Sequence, residues 1–189
     1  MGSSPSVPGM IAWAVVGVCW AWLFRSSRRR AALMAEMARE YSGFLRKRFF
    51  LPSFSLEPVE LSWTRVVSGQ PVIMVFRYEL PLSGFSRLPQ TVFEMEARDA
   101  VFGLEGGTYL GNELNVGRGL FMGGVNLTEE FRKFALETPQ ASRFRLGWKG
   151  SRAWMAVPGL LDTREEFWVR HCIRFMEETA GRISGVTTA

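Results

Sequence analysis

The chain is poor in the residues that most often carry chemistry. It holds a single histidine, His171, and two cysteines, Cys19 and Cys172, in 189 residues. Two cysteines cannot build a disulfide framework or a four-thiolate zinc site, and one imidazole removes most constellations that need several. Aspartate is nearly missing as well: only Asp99 and Asp162 occur, neither in a DxD or DxN pattern of the calcium type. No GxSxG, HExxH or CxxC is present. The first 24 residues contain no charged side chain.

The 47% apolar content and a mean hydropathy of +0.03 exclude a disordered chain. A net charge of +5 and a pI near 9.8 suggest nucleic acid until the charge is divided by region. Residues 25–48 carry eight basic side chains against Glu36 and Glu40, whereas residues 49–189 carry 15 basic and 16 acidic groups. The basic excess therefore belongs to one stretch beside the most apolar run, and nucleic acid is not the expected partner.

That run, residues 7–24, reads VPGMIAWAVVGVCWAWLF. At about 1.5 Å per residue it spans roughly 27 Å, enough for a bilayer core. A cleaved signal peptide needs a basic start and a small-x-small exit, but MGSSPSVPG has no basic residue and the run ends WAWLFR. Val18 before Cys19 speaks against a lipoprotein, and the loose myristoylation match of MGSSPS is expected by chance. We therefore expect a transmembrane helix over 7–24 after a short extracytoplasmic N-terminus, 1–6. Arginines flank one end only, which places the following domain on the cytoplasmic side of the membrane. Trp13, Trp20 and Trp22 suit the interfacial belts, and Gly17 among small residues admits a neighbouring helix.

Residues 25–50 are expected to form a basic amphipathic juxtamembrane helix, with Leu33, Met34, Met37, Tyr41, Phe44 and Leu45 at three- and four-residue steps. Arg25, Arg28, Arg29, Arg30, Arg46, Lys47 and Arg48 would then meet anionic headgroups. Residues 51–183 read as a cytoplasmic α+β domain: an antiparallel sheet of about five to seven strands with two packed helices, followed by a tail, 184–189. Alternation at Val59–Thr64, Val72–Leu80 and Thr91–Arg98 predicts strands, the first two joined as a hairpin through Ser68-Gly69-Gln70-Pro71, and the Glu94/Glu96 face of the third should be wet. A second hairpin is expected from Arg143–Trp148 and Arg152–Val157.

Eight glycines between residues 103 and 124 invite a phosphate-loop reading, but Gly117, Gly119 and Gly123 give GxGxxxG with no GK[ST] after it. Turns and bulges account for them better. Thr128 should cap a short helix ended by Pro139, and Asp162 or Thr163 should cap a last helix that presents Phe167, Trp168, Cys172, Phe175 and Met176 to the sheet and ends near Gly181 or Gly185.

His171 and Cys172 are adjacent on that helix, about 100° apart, and cannot form a nucleophile–base pair. No catalytic, cofactor or metal residue is expected, and no cofactor. Fifteen Phe and seven Trp exceed what one modest core needs, so Phe49, Phe50, Trp148 and Trp154 are expected to contact another protein. The arrangement is similar to bacterial single-pass membrane proteins with a small cytoplasmic α+β domain, and no motif of a named family is matched. The expectation is a non-enzymatic accessory subunit of a larger inner-membrane complex, respiratory or photosynthetic, whose partners are the bilayer and other membrane subunits. A tethered lipid- or hydrophobe-binding domain is the alternative, and an enzyme using His171 with a carboxylate ranks third.

Overall fold

The structure, a computed structural model, describes residues 7–50, 55–67, 69–79, 88–97, 102–109, 121–122, 124–138 and 143–187. Residues 1–6, Pro139 and the glycines at 117, 119 and 123, on which expectations rested, lie outside the described residues.

Helix α1 runs unbroken over Val7–Glu40, about 51 Å at 1.5 Å per residue. Its first part is long and apolar enough to cross a membrane, and none of that apolar stretch is buried in the described fold. From Ser27 onward the same helix turns inward: Ser27, Leu33, Met34 and Met37 are fully buried, a stripe at helical spacing. Each of the three large side chains contributes about 1.5–3 kcal/mol by burial.

The helix stops well before residue 48. Gly43 donates its N–H to the Ala38 carbonyl at 2.9 Å, and Ser42 adopts a left-handed conformation with φ 51°. Together they close the helix in a Schellman-type turn. Any Cβ at position 43 would stand 2.6 Å from Leu61 Cδ1, so the absent side chain lets the chain turn directly onto its neighbour. Residues Phe44–Phe50 then form strand β1. The expected helix over 25–50 is thus corrected: its first part is the tail of α1, and Arg46, Lys47, Arg48, Phe49 and Phe50 lie on a strand. The three- and four-residue steps of Tyr41, Phe44 and Leu45 mimic a helix that the Ser42-Gly43 turn ends.

Strands β2 (Ser55–Val67), β3 (Gln70–Glu79) and β4 (Gln90–Ala97) continue an antiparallel meander. Gly69, at φ 80°, makes the predicted β2–β3 turn. Strand β5 (Gly103–Tyr109) crosses to the far edge. A small ladder pairs β6 (Phe121–Met122) with β7 (Val125–Asn126) ahead of helix α2 (Thr128–Glu137). Hairpin β8–β9 (Arg145–Gly150, Arg152–Pro158) then fills the gap, giving seven strands in the order β1-β2-β3-β4-β9-β8-β5. Helix α3, Glu166–Thr187, follows a single 3-10 turn at Thr163–Glu165.

One face of the sheet is covered by helices. Leu61 and Trp63, Val72, Met74 and Phe76, Phe93 and Met95, and Ala153, Met155 and Val157 alternate inward along their strands. Against them lie α1, α2 and α3, the last through Val169, Cys172, Ile173, Met176, Ala180 and Ile183. Phe167 is 65% exposed and does not belong to that face. The aromatic contact of α3 is instead Phe175, 4.5 Å from Phe131 and 4.7 Å from Phe134 on α2. The backbone of α3 continues past Gly181 and Gly185 to Thr187, so most of the expected tail is helical. Asp162 caps the 3-10 turn through a reciprocal capping box with Glu165. At α2 the N-cap position is Leu127, which makes no side-chain cap; Thr128 is the first helical residue, and its N–H and hydroxyl both donate to the side chain of Asn126 just before.

Candidate functional site

The apolar half of α1 meets the domain at a buried polar joint. Ser27 donates its hydroxyl to the carboxylate of Glu57 on β2, and both are buried. One turn on, Arg30 donates to the Ser26 hydroxyl at 2.7 Å, with its guanidinium 6.0 Å from the rings of Phe50 and Tyr78. Burial lowers the Arg30 pKa, opposed by Tyr78, Glu57 and Asp162. Tyr78 donates to the Leu161 carbonyl at 2.6 Å, and burial pushes its phenol up. Burial also opposes ionisation of Asp162, but hydrogen bonds from the side chain and backbone of Arg164 outweigh it and hold the carboxyl below its usual range. Arg30 therefore turns toward the domain, whereas Arg25 and Arg28 are exposed and Arg29 is half-buried. Arg28 lies 4.5 Å over the Phe24 ring. Trp13, Gly17, Trp20 and Trp22 are all on the exposed apolar half; Trp20 stacks on Phe24 at 5.6 Å, and a Cβ on Gly17 would meet nothing within 4 Å.

The uncovered face of the sheet forms an open groove of about 1140 Å³. Seven cationic side chains line it, Arg46, Lys47, Arg48, Arg77, Arg145, Lys149 and Arg152, with Glu60, Glu79 and Glu94. Several of these charges are spent within the sheet. Arg77 bonds Glu79 at 3.1 Å and also Glu94, and these hydrogen bonds outweigh burial to raise its pKa. Arg152 reaches Glu96 at 3.0 Å and Lys149 reaches Glu105 at 2.7 Å. Glu94 and Glu96 thus occupy the predicted outer face of β4, where each bonds an arginine. Exposed Arg46, Lys47 and Arg48 concentrate positive charge on edge strand β1.

The two tryptophans of the β8–β9 hairpin are separated by the pleat. Gly147 pairs with Trp154 and Trp148 with Ala153, so the indoles stand on opposite faces. Trp154 lies in the open groove over Gly147, where a Cβ would come 2.4 Å from its ring. Trp148 packs against the core and covers Gly106 at a corresponding 2.6 Å. Glycines of the Gly-rich region and of β8 therefore seat tryptophan rings. Of the four aromatic residues expected at a protein contact, only Phe49 is largely exposed; Phe50 is half-buried beside Arg30.

His171 sits in a second open groove, about 580 Å³, between α2 and α3. Its ring stacks between Phe134 at 5.0 Å and Phe167 at 5.8 Å, with Nε2 3.1 Å from a Glu137 carboxylate oxygen. Burial lowers its pKa, Glu137 and Glu178 work against that shift, and Arg174 and Lys133 add to it. The neighbouring Cys172 is fully buried with its thiol pushed up, which leaves it unreactive. Among the described residues no cluster of three or more His, Cys, Asp or Glu side chains could hold a metal ion.

Sequence reasoning missed the joint. Ser27 extends the stripe of Met34 and Tyr41 by one seven-residue step, a signal hidden by the arginines around it. Comparison with protein-family models, with curated proteins and with solved structures gives no match for this chain.

Proposed function

We propose that the chain is a non-enzymatic accessory or structural subunit of a larger membrane complex, anchored through residues 7–24 in a bacterial inner membrane, with its α+β domain on the cytoplasmic side. The observation that carries this reading is the continuity of α1. One rigid helix has an exposed apolar half and a half sunk in the domain core, with no linker between them. A domain joined this way has a fixed orientation relative to the bilayer, as suits a part that covers or braces a larger assembly. Arg25, Arg28 and Arg29 follow the apolar half at one end only, which supports the cytoplasmic placement. Gly17 and the exposed tryptophans provide a surface on which another membrane helix can pack. The cationic groove with Trp154 at its floor suits an acidic segment of a neighbouring subunit.

The alternative of an apolar ligand between sheet and helices draws no support from the packing. Phe76, Phe93 and Phe102 fill that space with essentially no exposure, and both grooves lie elsewhere and open to solvent. The experiment is purification from native membranes in mild detergent, with identification of what accompanies the chain. Defined subunits of one complex, a respiratory or photosynthetic assembly being the first host class to test, are the expected result. A monodisperse lone monomer would sink the proposal.

A further inference from the structure

The relative direction of α1 and the sheet identifies which end of the domain would face the bilayer. Ser27 lies against Glu57, and Tyr41, fourteen residues later, stacks on Trp63 at 4.9 Å. Fourteen helical residues advance about 21 Å and six strand residues about 20 Å. Helix and strand therefore run side by side in the same direction, and the apolar half of α1 projects past the end where β1 finishes and β2 begins.

That end carries apolar side chains facing solvent. Phe49 and Leu56 are directly opposite each other across the β1–β2 ladder, 55% and 65% exposed. Leu88, 71% exposed, precedes the β3–β4 ladder at the same end, because Glu60 pairs with Arg77 and Glu79 with Gln90. The depths agree. Phe24, the last apolar residue of the run, lies about 4.5 Å beyond Ser27 along the helix, and Leu56 lies about 3 Å beyond Glu57 along the strand. The tip is thus level with Arg25 and Ser26, within the headgroup layer of about 5–8 Å that covers each side of the hydrocarbon core. Arg48 precedes Phe49 on the same strand, exposed like Arg25 and Arg28.

We infer that this end of the sheet is a second membrane contact: Phe49, Leu56 and Leu88 seat in the headgroup layer of the leaflet from which α1 emerges, while Arg25, Arg28 and Arg48 meet its anionic phosphates. The inference rests on the anchoring role of residues 7–24. It assigns Phe49 to lipid, not to a protein partner, and makes the domain lie against the bilayer instead of hanging from it.

The test uses the full chain carrying Cys19→Ser, reconstituted in vesicles of phosphatidylcholine with phosphatidylglycerol and in vesicles of phosphatidylcholine alone. Buried Cys172 stays in place. Single nitroxide labels are introduced through Phe49→Cys, Leu56→Cys and Leu88→Cys. Phe44→Cys, at the far end of β1 and 73% exposed, is the aqueous control, and Val15→Cys reports the anchor. Collision with oxygen relative to a water-soluble nickel chelate should rise several-fold at 49, 56 and 88 over position 44, and more in the anionic vesicles. Water-like values at all three, with Val15→Cys reading as lipid-embedded, would overturn the inference and leave the anchor standing. A water-like value at Val15→Cys would overturn both. Equal depth in the two lipid compositions would remove the phosphate contact.

Discussion

Ser27 of α1 and Glu57 of β2 are bonded to each other in the interior, one helical turn beyond the last residue of the apolar run. A serine inside a helix and a glutamate inside a sheet are each costly to bury alone. Paired, they fix the rotation of the apolar half of α1 about its own axis relative to the sheet.

Removing the hydroxyl should therefore cost more than an ordinary helix substitution. Ser27→Ala leaves the buried Glu57 carboxylate one donor short, with an expected loss of about 1–3 kcal/mol. Glu57→Gln keeps an acceptor for Ser27 and should cost less. Denaturant midpoints of the full chain in detergent measure both, and a Ser27→Ala midpoint equal to the parent's would show that the bond contributes nothing.

Ser42→Gly should stabilise the chain. Ser42 holds a left-handed conformation, φ 51°, that costs a residue with a Cβ about 1–2 kcal/mol. Glycine removes that strain but loses about 0.4–1 kcal/mol through the greater freedom of the unfolded chain. The net expectation is a small gain, between about 0 and 1.6 kcal/mol, read as a higher melting temperature. Ser42→Val should do the reverse, and a neutral result for both would mean the turn carries no strain.

How much of this molecule is legible in its sequence depends on the range of the interactions. The hairpins β2–β3 and β8–β9 were readable because alternation and a turn residue, Gly69 or Gly150, are local signals. The β1 strand was not, because its reason is Leu61, whose side chain leaves room only for a glycine at position 43. The faces of α3 are half readable: Cys172 and Met176 turn inward as their spacing implies, but Phe167 lies nine residues before Met176, about 180° around the helix, and is left outside, stacked on His171. The partition of Trp148 and Trp154 required the register of the ladder, which a one-residue slip would invert. His171 and Phe167, one turn before it, share a stretch of α3 that the spacing makes legible, but the second stacking ring, Phe134, and the carboxylate neighbour Glu137 come from α2, and no spacing along α3 could supply them.

As the only histidine in the chain, His171 gives a clean pH signature. Burial holds its pKa below the usual value of about 6.5. Between the two values the unfolded chain binds more protons than the folded one, so stability rises with pH. The contribution is complete above about 6.5 and is lost as pH falls through the lowered folded value. His171→Phe retains a ring between Phe134 and Phe167 but cannot titrate. The difference in melting temperature between parent and variant should move against the parent as pH falls from 7 toward 5. Movement in the parent's favour would mean that attraction to Glu137 and Glu178 outweighs burial.

Because α1 has no joint between its two halves, a single inserted residue becomes a test of whether its apolar surface is read by a partner. One alanine between Arg25 and Ser26 rotates everything before it by 100° and moves it 1.5 Å along the axis, while residues 27–187 keep every contact they make with one another. Stability of the domain should be unchanged and the chain should still reach the membrane. If Trp13, Gly17 and Trp20, which share one face of the helix, present it to another subunit while the domain docks elsewhere on the same complex, the two contacts can no longer be made together. Accompanying subunits should then be lost on purification from native membranes. Undiminished recovery of those subunits would mean that the apolar half is a tether whose orientation no partner reads.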